Sequence, residues 1–324
     1  MFSNKYIPKA FFLAILFLVF SCQNLEDLNI NPNGVDPSNA HPDLLLATVI
    51  TTTAQAVTDL GYGDLAGVMQ HTQKDGWSGS HNSYQWGGRS WASFYGILRN
   101  NDEMYNKGVE SDLEFHQGVA LVIKSYVFGM ITDLWGDAPY SAALNGEDGG
   151  EENLKPVFDS QKDIYAGILA DLKTANTLLS KSQDEYPAIN VTQDPLFGGD
   201  VDKWRKFANS LALRYYMRIS VKDPGTAKAG IEEIAGNPDN FPVFQTAEEE
   251  ASLSFPGTSA TDSWPNNTVF DGTAGSNFRR LMMCSSLVDT LQKYDDPRLT
   301  LWAARVAIPI VVDTSLADGT DIIV

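Results

Sequence analysis

The sequence predicts an all-α fold, a scaffold of helical hairpins with long irregular loops and a small amount of β structure. Apolar residues recur at steps of three and four residues through most of the chain after Pro42, which is the period of an amphipathic helix. Loops rich in Gly, Pro, Asn and Asp separate these stretches. With 43% hydrophobic and 11% aromatic residues among 324, the chain can bury a core, as one large domain or two ordinary ones.

Three helices are predicted in the first half of the chain, at residues 44–60, 89–105 and 112–134. The first has a Thr-rich centre of low helix propensity, so packing must hold it, and its pattern allows an extension to residue 72. Residues 61–67 contain three glycines and are interpreted as a bend. The third helix ends at Gly136 and Pro139, residue types that stop a helix.

Four further helices are predicted after an acidic loop at residues 145–153. They cover residues 159–181, 203–220, 224–235 and 281–294. Asp159 stands where it can cap the first of them, and Asp202 starts the second. The chain between residues 237 and 276 is predicted to be mostly loop, and residues 306–324 have a β-like pattern.

A degenerate repeat is visible in the helices. Residues 204–211 read Trp-x2-Phe-Ala-x2-Leu, close to the Trp-x2-Leu-Gly-x2-Tyr start of a tetratricopeptide repeat, and looser versions begin at Trp91 and His116. A large residue followed by a small one lets a neighbouring helix approach closely. The spacing predicts stacked helical hairpins; ordinary amphipathic helices with this spacing by chance are the alternative.

The N-terminus has the pattern of a secretory signal. Lys5 and Lys9 precede an unbroken apolar run at residues 10–20, which is too short to cross a membrane as a helix and ends at Ser21 and Cys22. This pattern resembles a bacterial lipoprotein signal. It predicts a signal peptide at residues 1–21, a lipid-anchored Cys22 that opens a polar tether at residues 22–42, and a folded domain at residues 43–324.

The charge of the chain limits its partners. The formal net charge is −18, and such acidity repels nucleic-acid phosphates, so nucleic-acid binding is not expected. Neutral or basic ligands are mildly favoured on the same ground.

Residues for metal or redox chemistry are few. The chain has two cysteines, so lipidation of Cys22 leaves Cys284 alone, and a buried structural thiol is favoured over a reactive one there. The four histidines, at positions 41, 71, 81 and 116, show no close metal-binding spacing, and no metal or cofactor is predicted. Residues 145–153 offer oxygen donors for calcium but lack the EF-hand order.

Four segments in order resemble the SusD/RagB family, in particular its SusD-like branch. They are GMITDLWGDAPYSAAL at residues 129–144, KPVFDSQKDIYAGILADLKTA at 155–175, KWRKFANSLALRYYMRI at 203–219 and YDDPRL at 294–299. The resemblance extends from Cys22 to about Trp302. Together with the lipoprotein signal, the combination is specific, although each segment alone is weak.

The resemblance implies a tetratricopeptide-like scaffold in a surface-exposed lipoprotein of the outer membrane. Such proteins lie as a lid on a TonB-dependent transporter of the SusC type. They capture a nutrient, often an oligosaccharide and sometimes a peptide, and deliver it to that transporter. No catalytic centre is known in the family, so the chain is not expected to be an enzyme.

The chain is shorter than the usual family member. It stops at residues 321–324, within a β-like segment. This indicates either a truncated gene product or fragment, or an incomplete sequence. A missing C-terminal part would leave core surface uncovered, and it could remove contacts to ligand and transporter.

The loop at residues 76–88 is the first candidate for ligand binding. Sugar rings present apolar C–H faces that stack on aromatic side chains, and nearby polar groups select their hydroxyls. The loop offers both in a Gly- and Ser-rich setting, where large aromatics have less reason to be core. Its candidate residues are Trp77, His81, Asn82, Tyr84 and Trp86. In the alternative interpretation, Trp86 folds back to fill the gap before the second helix.

The loop around Trp264 is the second candidate. Trp264 and Asn266 lie beside Pro265, which restricts the backbone and suits a rigid aromatic platform. A tryptophan that merely anchors its own loop is the alternative. The tryptophans and tyrosines at helical positions are assigned to the core. These are Trp135, Trp204, Tyr215 and Tyr216.

Two other classes of function stay open from the sequence. A lipid-anchored glycoside hydrolase needs two carboxylates flanking the scissile bond, and Asp75 and Asp133 are candidates that no sequence feature pairs. A protein-binding scaffold without a small ligand would use the helical hairpins alone. Sugar and peptide ligands are not distinguished, since aromatic and amide side chains bind both.

Overall fold

The computed structural model describes residues 41–74, 80–84, 87–187, 189–259 and 281–303. These residues are mostly helical, which confirms the predicted all-α fold with minor β structure. Helices of nine or more residues are α1 Asp43–Asp59, α2 Ala92–Glu110, α3 Glu114–Trp135, α4 Gln161–Leu178, α5 Val201–Ile219, α6 Pro224–Gly236 and α7 Ser285–Lys293. The predicted signal peptide, Cys22, almost all of the tether and the β-like residues 306–324 lie outside the described residues.

Helices that follow one another in the chain pack together. α2 contacts α3, α3 contacts α4, α4 contacts α5 and α5 contacts α6, while α1 packs on both α2 and α3. The repeat-like residues serve this packing: Trp204, Ala208 and Leu211 of α5 are all buried. This order of contacts is the one that stacked helical hairpins produce, as the residue spacing predicted.

Helix α3 lies at the centre of the stack. It is buried along most of its length, and its apolar residues reach nearly every face. By length and hydropathy alone α3 could cross a membrane, as could the longer helical stretch Asp43–Val68, but most of α3 is covered by other parts of the protein. Its surface is therefore consistent with a core helix that needs packing partners all round.

A buried tyrosine links helix α5 to α3. The hydroxyl of Tyr215 donates a hydrogen bond to the carbonyl oxygen of Ser125 at 3.0 Å. Tyr215 can lie this close because Gly129 has no side chain: an added Cβ would lie 2.0 Å from the hydroxyl oxygen. Gly129 therefore allows the close approach of α5 to α3.

The loop between α4 and α5 is organised by a buried carboxylate. Asp194 accepts hydrogen bonds from the backbone N–H groups of Leu196, Phe197 and Gly199, at 2.8 to 3.1 Å. The indole N–H of Trp204 also donates to it, at 2.8 Å. The carboxylate thus joins the loop to the first turn of α5, with four donors to offset the cost of its burial.

The start of α4 differs from the prediction. Ser160, not Asp159, is the N-cap residue, and its side chain accepts from the backbone N–H of Asp163. The carboxylate of Asp159 instead accepts from the backbone N–H groups of Tyr140 and Ser141 and from the Ser141 hydroxyl. Asp159 therefore pins the turn that follows α3, through two backbone N–H groups and one hydroxyl.

The region after α1 also differs from the prediction. Residues interpreted as a bend form a π-helical turn, Leu60–Leu65, which continues α1 into a short helical segment, Ala66–Val68. Strand β1, Thr72–Lys74, follows and pairs antiparallel with β2, Leu281–Met283. The predicted helix at 281–294 was wrong for its first residues, since the pairing partner lies some 200 positions earlier in the chain.

Cys284 connects β2 to α7 and is not inside a helix as predicted. Its backbone N–H donates to the carbonyl oxygen of His71 at 2.9 Å. The side chain is half-buried, and this burial raises the pKa of its thiol. The thiol is consequently held in its protonated, poorly nucleophilic form, in keeping with a structural role.

We expect Gly129→Ala to lower the free energy of unfolding by about 2–4 kcal/mol, because the added methyl group collides with the Tyr215 ring. Chemical denaturation followed by circular dichroism measures this change. Gly225→Ala is the matched control, since a Cβ there meets nothing within 4 Å and should be neutral or slightly stabilising. Equal stability of the two variants would contradict the close-packing argument.

We expect Asp194→Asn to lower the free energy of unfolding by about 2–3 kcal/mol. Each carboxylate oxygen of Asp194 accepts two N–H donors, so either orientation of the amide turns an NH2 group towards donors. Asp239→Asn, at an exposed position, serves as the control in the same denaturation experiment. A loss no larger than that of the control would show that the buried carboxylate contributes little.

Candidate functional site

A cleft of about 720 Å³ opens between α1, α2 and the C-terminal end of α3. Helix α1 contributes Thr52, Gln55 and Asp59 to one wall. Helix α2 contributes the opposite wall, including Phe94 and Asn100. The cleft thus depends on how three helices pack, and its size lies in the range of small-ligand pockets.

Aromatic rings form one side of the cleft. Trp135, the last residue of α3, and Phe94 line it, with their ring centroids 5.7 Å apart in an edge-to-face arrangement. Behind them, Trp91 contacts Trp135 at 5.8 Å and Phe158 at 5.7 Å between centroids. Because Trp135 is only half-buried, this side presents part of an aromatic surface to the cleft.

The charged residues of the cleft are Asp59, Arg89 and Arg99 among those lining residues that the structure describes. Burial raises the pKa of the Asp59 carboxyl, so it gives up its proton less readily than an exposed aspartate. Arg99 is exposed on α2. Two guanidinium groups against one carboxylate give the cleft an excess of positive charge in a chain whose net charge is −18.

The first predicted binding loop runs into this cleft. Residues 80–83 form a helical turn that packs against Leu60–Leu65 and Ala66–Val68, the continuation of α1 beyond the cleft. The loop then returns to Arg89 and Ser90, which line the cleft. The predicted loop and the cleft are therefore neighbours along the chain and at the end of α1.

The individual residues of that loop are only partly described. Asn82 is half-buried, whereas Tyr84 is exposed and has a positive φ of 55°. The backbone of His81 belongs to the helical turn, but its side chain lies outside the described part of the chain, as do Trp77 and Trp86 in full. The same holds for Trp264 and Asn266 of the second predicted loop.

Two residues of the cleft were missed by sequence reasoning. Trp135 was assigned to the core with Trp204 and Tyr215, which are indeed buried, yet it lies half-exposed at the cleft. Its place at the last position of α3, directly before Gly136, was the available signal, since a helix end is where a side chain can leave the core. Arg99 carried no signal at all, because an arginine on an amphipathic helix is normally a solvated one.

A cluster of histidine and carboxylate groups lies away from the cleft. Asp43 contacts His116 through Oδ1 and Nε2 at 2.7 Å, and contacts His41 through Oδ2 and Nδ1 at 3.1 Å. One ligand atom from each of the three residues lies within 4.8 Å of the others, so together they could hold a metal ion. Spacing along the chain could not reveal the cluster, because Asp43 and His116 are 73 positions apart.

Of the two carboxylates considered for glycoside hydrolysis, the structure describes only Asp133. Asp133 accepts a hydrogen bond from the hydroxyl of Tyr165 at 2.6 Å and pairs with Arg218 at 3.0 Å. Asp75 lies outside the described residues. In the described lining of the cleft, Asp59 is the one carboxylate, whereas glycosidases use a pair.

Comparison with known families and structures gives a consistent result. The SusD-like_2 family model, described as "Starch-binding associating with outer membrane", matches residues 34–310. A comparison with curated proteins finds no match. Among solved structures, an outer membrane protein of Bacteroides vulgatus described as involved in nutrient binding is similar, at 23% identity and a TM-score of 0.63. The match covers 80% of this chain and 52% of that protein.

Two further solved structures are similar over the same extent. A SusD homolog from Bacteroides fragilis has 22% identity and a TM-score of 0.61, covering 81% of this chain and 52% of its own. A chitin-binding SusD homolog from Flavobacterium johnsoniae has 20% identity and a TM-score of 0.60, covering 80% of this chain and 53% of its own. These likenesses establish a shared fold. The chain spans about half the length of these relatives.

Proposed function

The chain belongs to the SusD-like family, and from that premise we propose that it captures a nutrient, an oligosaccharide, in the cleft between α1 and α2. The captured ligand would then pass to a SusC-like TonB-dependent transporter in the outer membrane. Binding and release, without bond cleavage, are the proposed mechanism.

The observation that carries this proposal is the combination of surfaces in the cleft. The half-buried ring of Trp135 offers a stacking face for the apolar side of a sugar ring. Side chains such as Gln55, Ser93 and Asn100 line the same space and supply donors and acceptors for hydroxyl groups. The predicted aromatic loop at residues 76–88 ends beside Arg89, which lines the cleft, and in this proposal its rings add to the binding surface.

The charge of the cleft refines the proposed ligand. The net acidity of the chain favoured neutral or basic ligands, but local charge decides what a cleft attracts at short range. Arg99, an exposed arginine of the cleft lining, can bind a carboxylate through two parallel N–H donors. An oligosaccharide that contains acidic units is therefore the ligand we favour over a neutral sugar. A short peptide would offer a carboxylate only at its end or on acidic side chains.

Anchoring and delivery complete the proposal. A lipid on Cys22, after removal of residues 1–21, would hold the chain at the outer membrane, with residues 22–42 as a tether to the folded body at residues 43–324.

A protein-binding scaffold is the second candidate function, on one observation. Leu154, Val157 and Phe158 are largely exposed apolar residues close together in the chain, and Phe158 continues the aromatic cluster behind Trp135. Exposed apolar surface of this kind often marks a protein contact. It can serve the transporter contact as well, so it does not compete with ligand capture.

We expect Trp135→Ala to weaken oligosaccharide binding by about tenfold, through loss of the stacking face. Trp77→Ala and Trp86→Ala should each weaken it if the adjoining loop contributes rings. Calorimetric titration of the full chain in a non-sugar detergent against an oligosaccharide panel measures this. Trp302→Ala, at an exposed tryptophan outside the cleft lining, is the control. Binding that only Trp264→Ala weakens would place the ligand at the second loop instead.

We expect Arg99→Gln to weaken the binding of a uronate-containing oligosaccharide by about tenfold and to leave its neutral analogue unchanged. The paired titrations should also show that added salt weakens only the acidic ligand. Arg214→Gln, at an exposed arginine of α5 outside the cleft lining, is the matched control. Equal losses for acidic and neutral ligands would contradict charge recognition and leave ligand capture itself intact.

A further inference from the structure

We propose that His41, Asp43 and His116 form a binding site for one divalent transition-metal ion of the zinc class. The ion would fasten the segment that precedes α1 to the central helix α3. This site is separate from the proposed ligand cleft and does not depend on the proposed function.

The three residues already converge on one carboxylate. Asp43 lies in the first turn of α1, and its two oxygens contact the Nε2 atom of His116 at 2.7 Å and the Nδ1 atom of His41 at 3.1 Å. The two imidazole rings meet edge to face, with centroids 5.6 Å apart. Two nitrogens and one oxygen thus surround a single small volume.

The donor set suits zinc in number, type and spacing. Zinc binds imidazole nitrogen and carboxylate oxygen at about 2.0–2.2 Å and is commonly held by three protein ligands and a water. Tetrahedral neighbours around such an ion are roughly 3.3 Å apart. The contacts of 2.7 and 3.1 Å are slightly shorter, so a small outward movement of the rings would let the ion replace both.

Burial gives the site an inner ligand and an entrance. The side chain of His116 is 3% exposed, that of Asp43 15% and that of His41 51%. An ion can therefore enter from the His41 side, where a water can complete its coordination.

The hydrogen bonding of His116 allows the exchange. Its Nδ1 atom is buried and has no hydrogen-bond partner in the described part of the chain, so the ring is oriented by Asp43 and by edge-to-face contacts with His41 and Phe115. When a metal takes Nε2, the ring proton must reside on Nδ1, and no existing hydrogen bond at Nδ1 has to be broken. The competing interpretation is a hydrogen-bonded latch that holds α1 to α3 without any metal.

Titration of the full chain with zinc separates the two interpretations. The chain is first stripped with a chelator, and zinc binding is then measured by calorimetry together with the unfolding temperature. We expect one zinc equivalent that raises the unfolding temperature. His41→Gln should weaken its affinity by at least about tenfold, and His116→Gln likewise. His71→Gln, at an exposed histidine, is the matched control and should bind zinc normally.

A folding defect in a variant can be told apart from the loss of the zinc site. His41 is half-exposed, so the His41→Gln variant should fold. X-ray absorption needs no variant: the unaltered zinc-loaded chain should show nitrogen and oxygen ligands consistent with two imidazoles. Absence of a stoichiometric zinc would overturn the proposal in favour of the latch. So would zinc affinity that His41→Gln and His116→Gln leave unchanged. Oligosaccharide binding should be the same in all three histidine variants, which distinguishes this site from the cleft.

Discussion

The burial of α3 on nearly all sides is the constraint on which the rest of the described structure depends. A helix that is apolar around its circumference must be covered, and four helices do so. Side-chain hydrogen bonds also join each of them to α3, including Asp43 with His116 for α1, Asn101 with Ala120 for α2, Ser125 with Ile168 for α4, and Tyr215 with Ser125 for α5. Apolar packing supplies the stability, and these bonds fix the rotation and height of each neighbour.

The two proposed sites lie at opposite ends of this central helix. His116 is in its first turn and Trp135 is its last residue, a separation of about 28 Å along the axis. The cleft lies between α1 and α2 near the end of α3, and the histidine cluster forms where α1 begins beside the start of α3. Metal binding at one end would hold the segment before α1 without touching the cleft proposed for the ligand.

Local charge and net charge differ in this protein. The chain is strongly acidic, yet the described lining of the cleft has two arginines and one aspartate. Burial raises the pKa of that aspartate, Asp59. Net acidity acts on partners at long range and repels nucleic-acid phosphates, whereas the few charges within a Debye length act on a ligand in the cleft. The composition of the chain therefore does not give the charge that such a ligand would meet.

The sequence by itself determined the helices, their order and the family, because a 3.6-residue apolar period and short motifs are local properties of the chain. Only the tertiary structure decided the features whose partners are distant in sequence. Residues 281–283 form a strand because Thr72–Lys74 pairs with them, and the carboxylate of Asp159 binds Tyr140 and Ser141 instead of capping α4. Trp135 at the cleft and the Asp43–His116 contact follow from the same physical reason, since packing and not local propensity brings distant segments together.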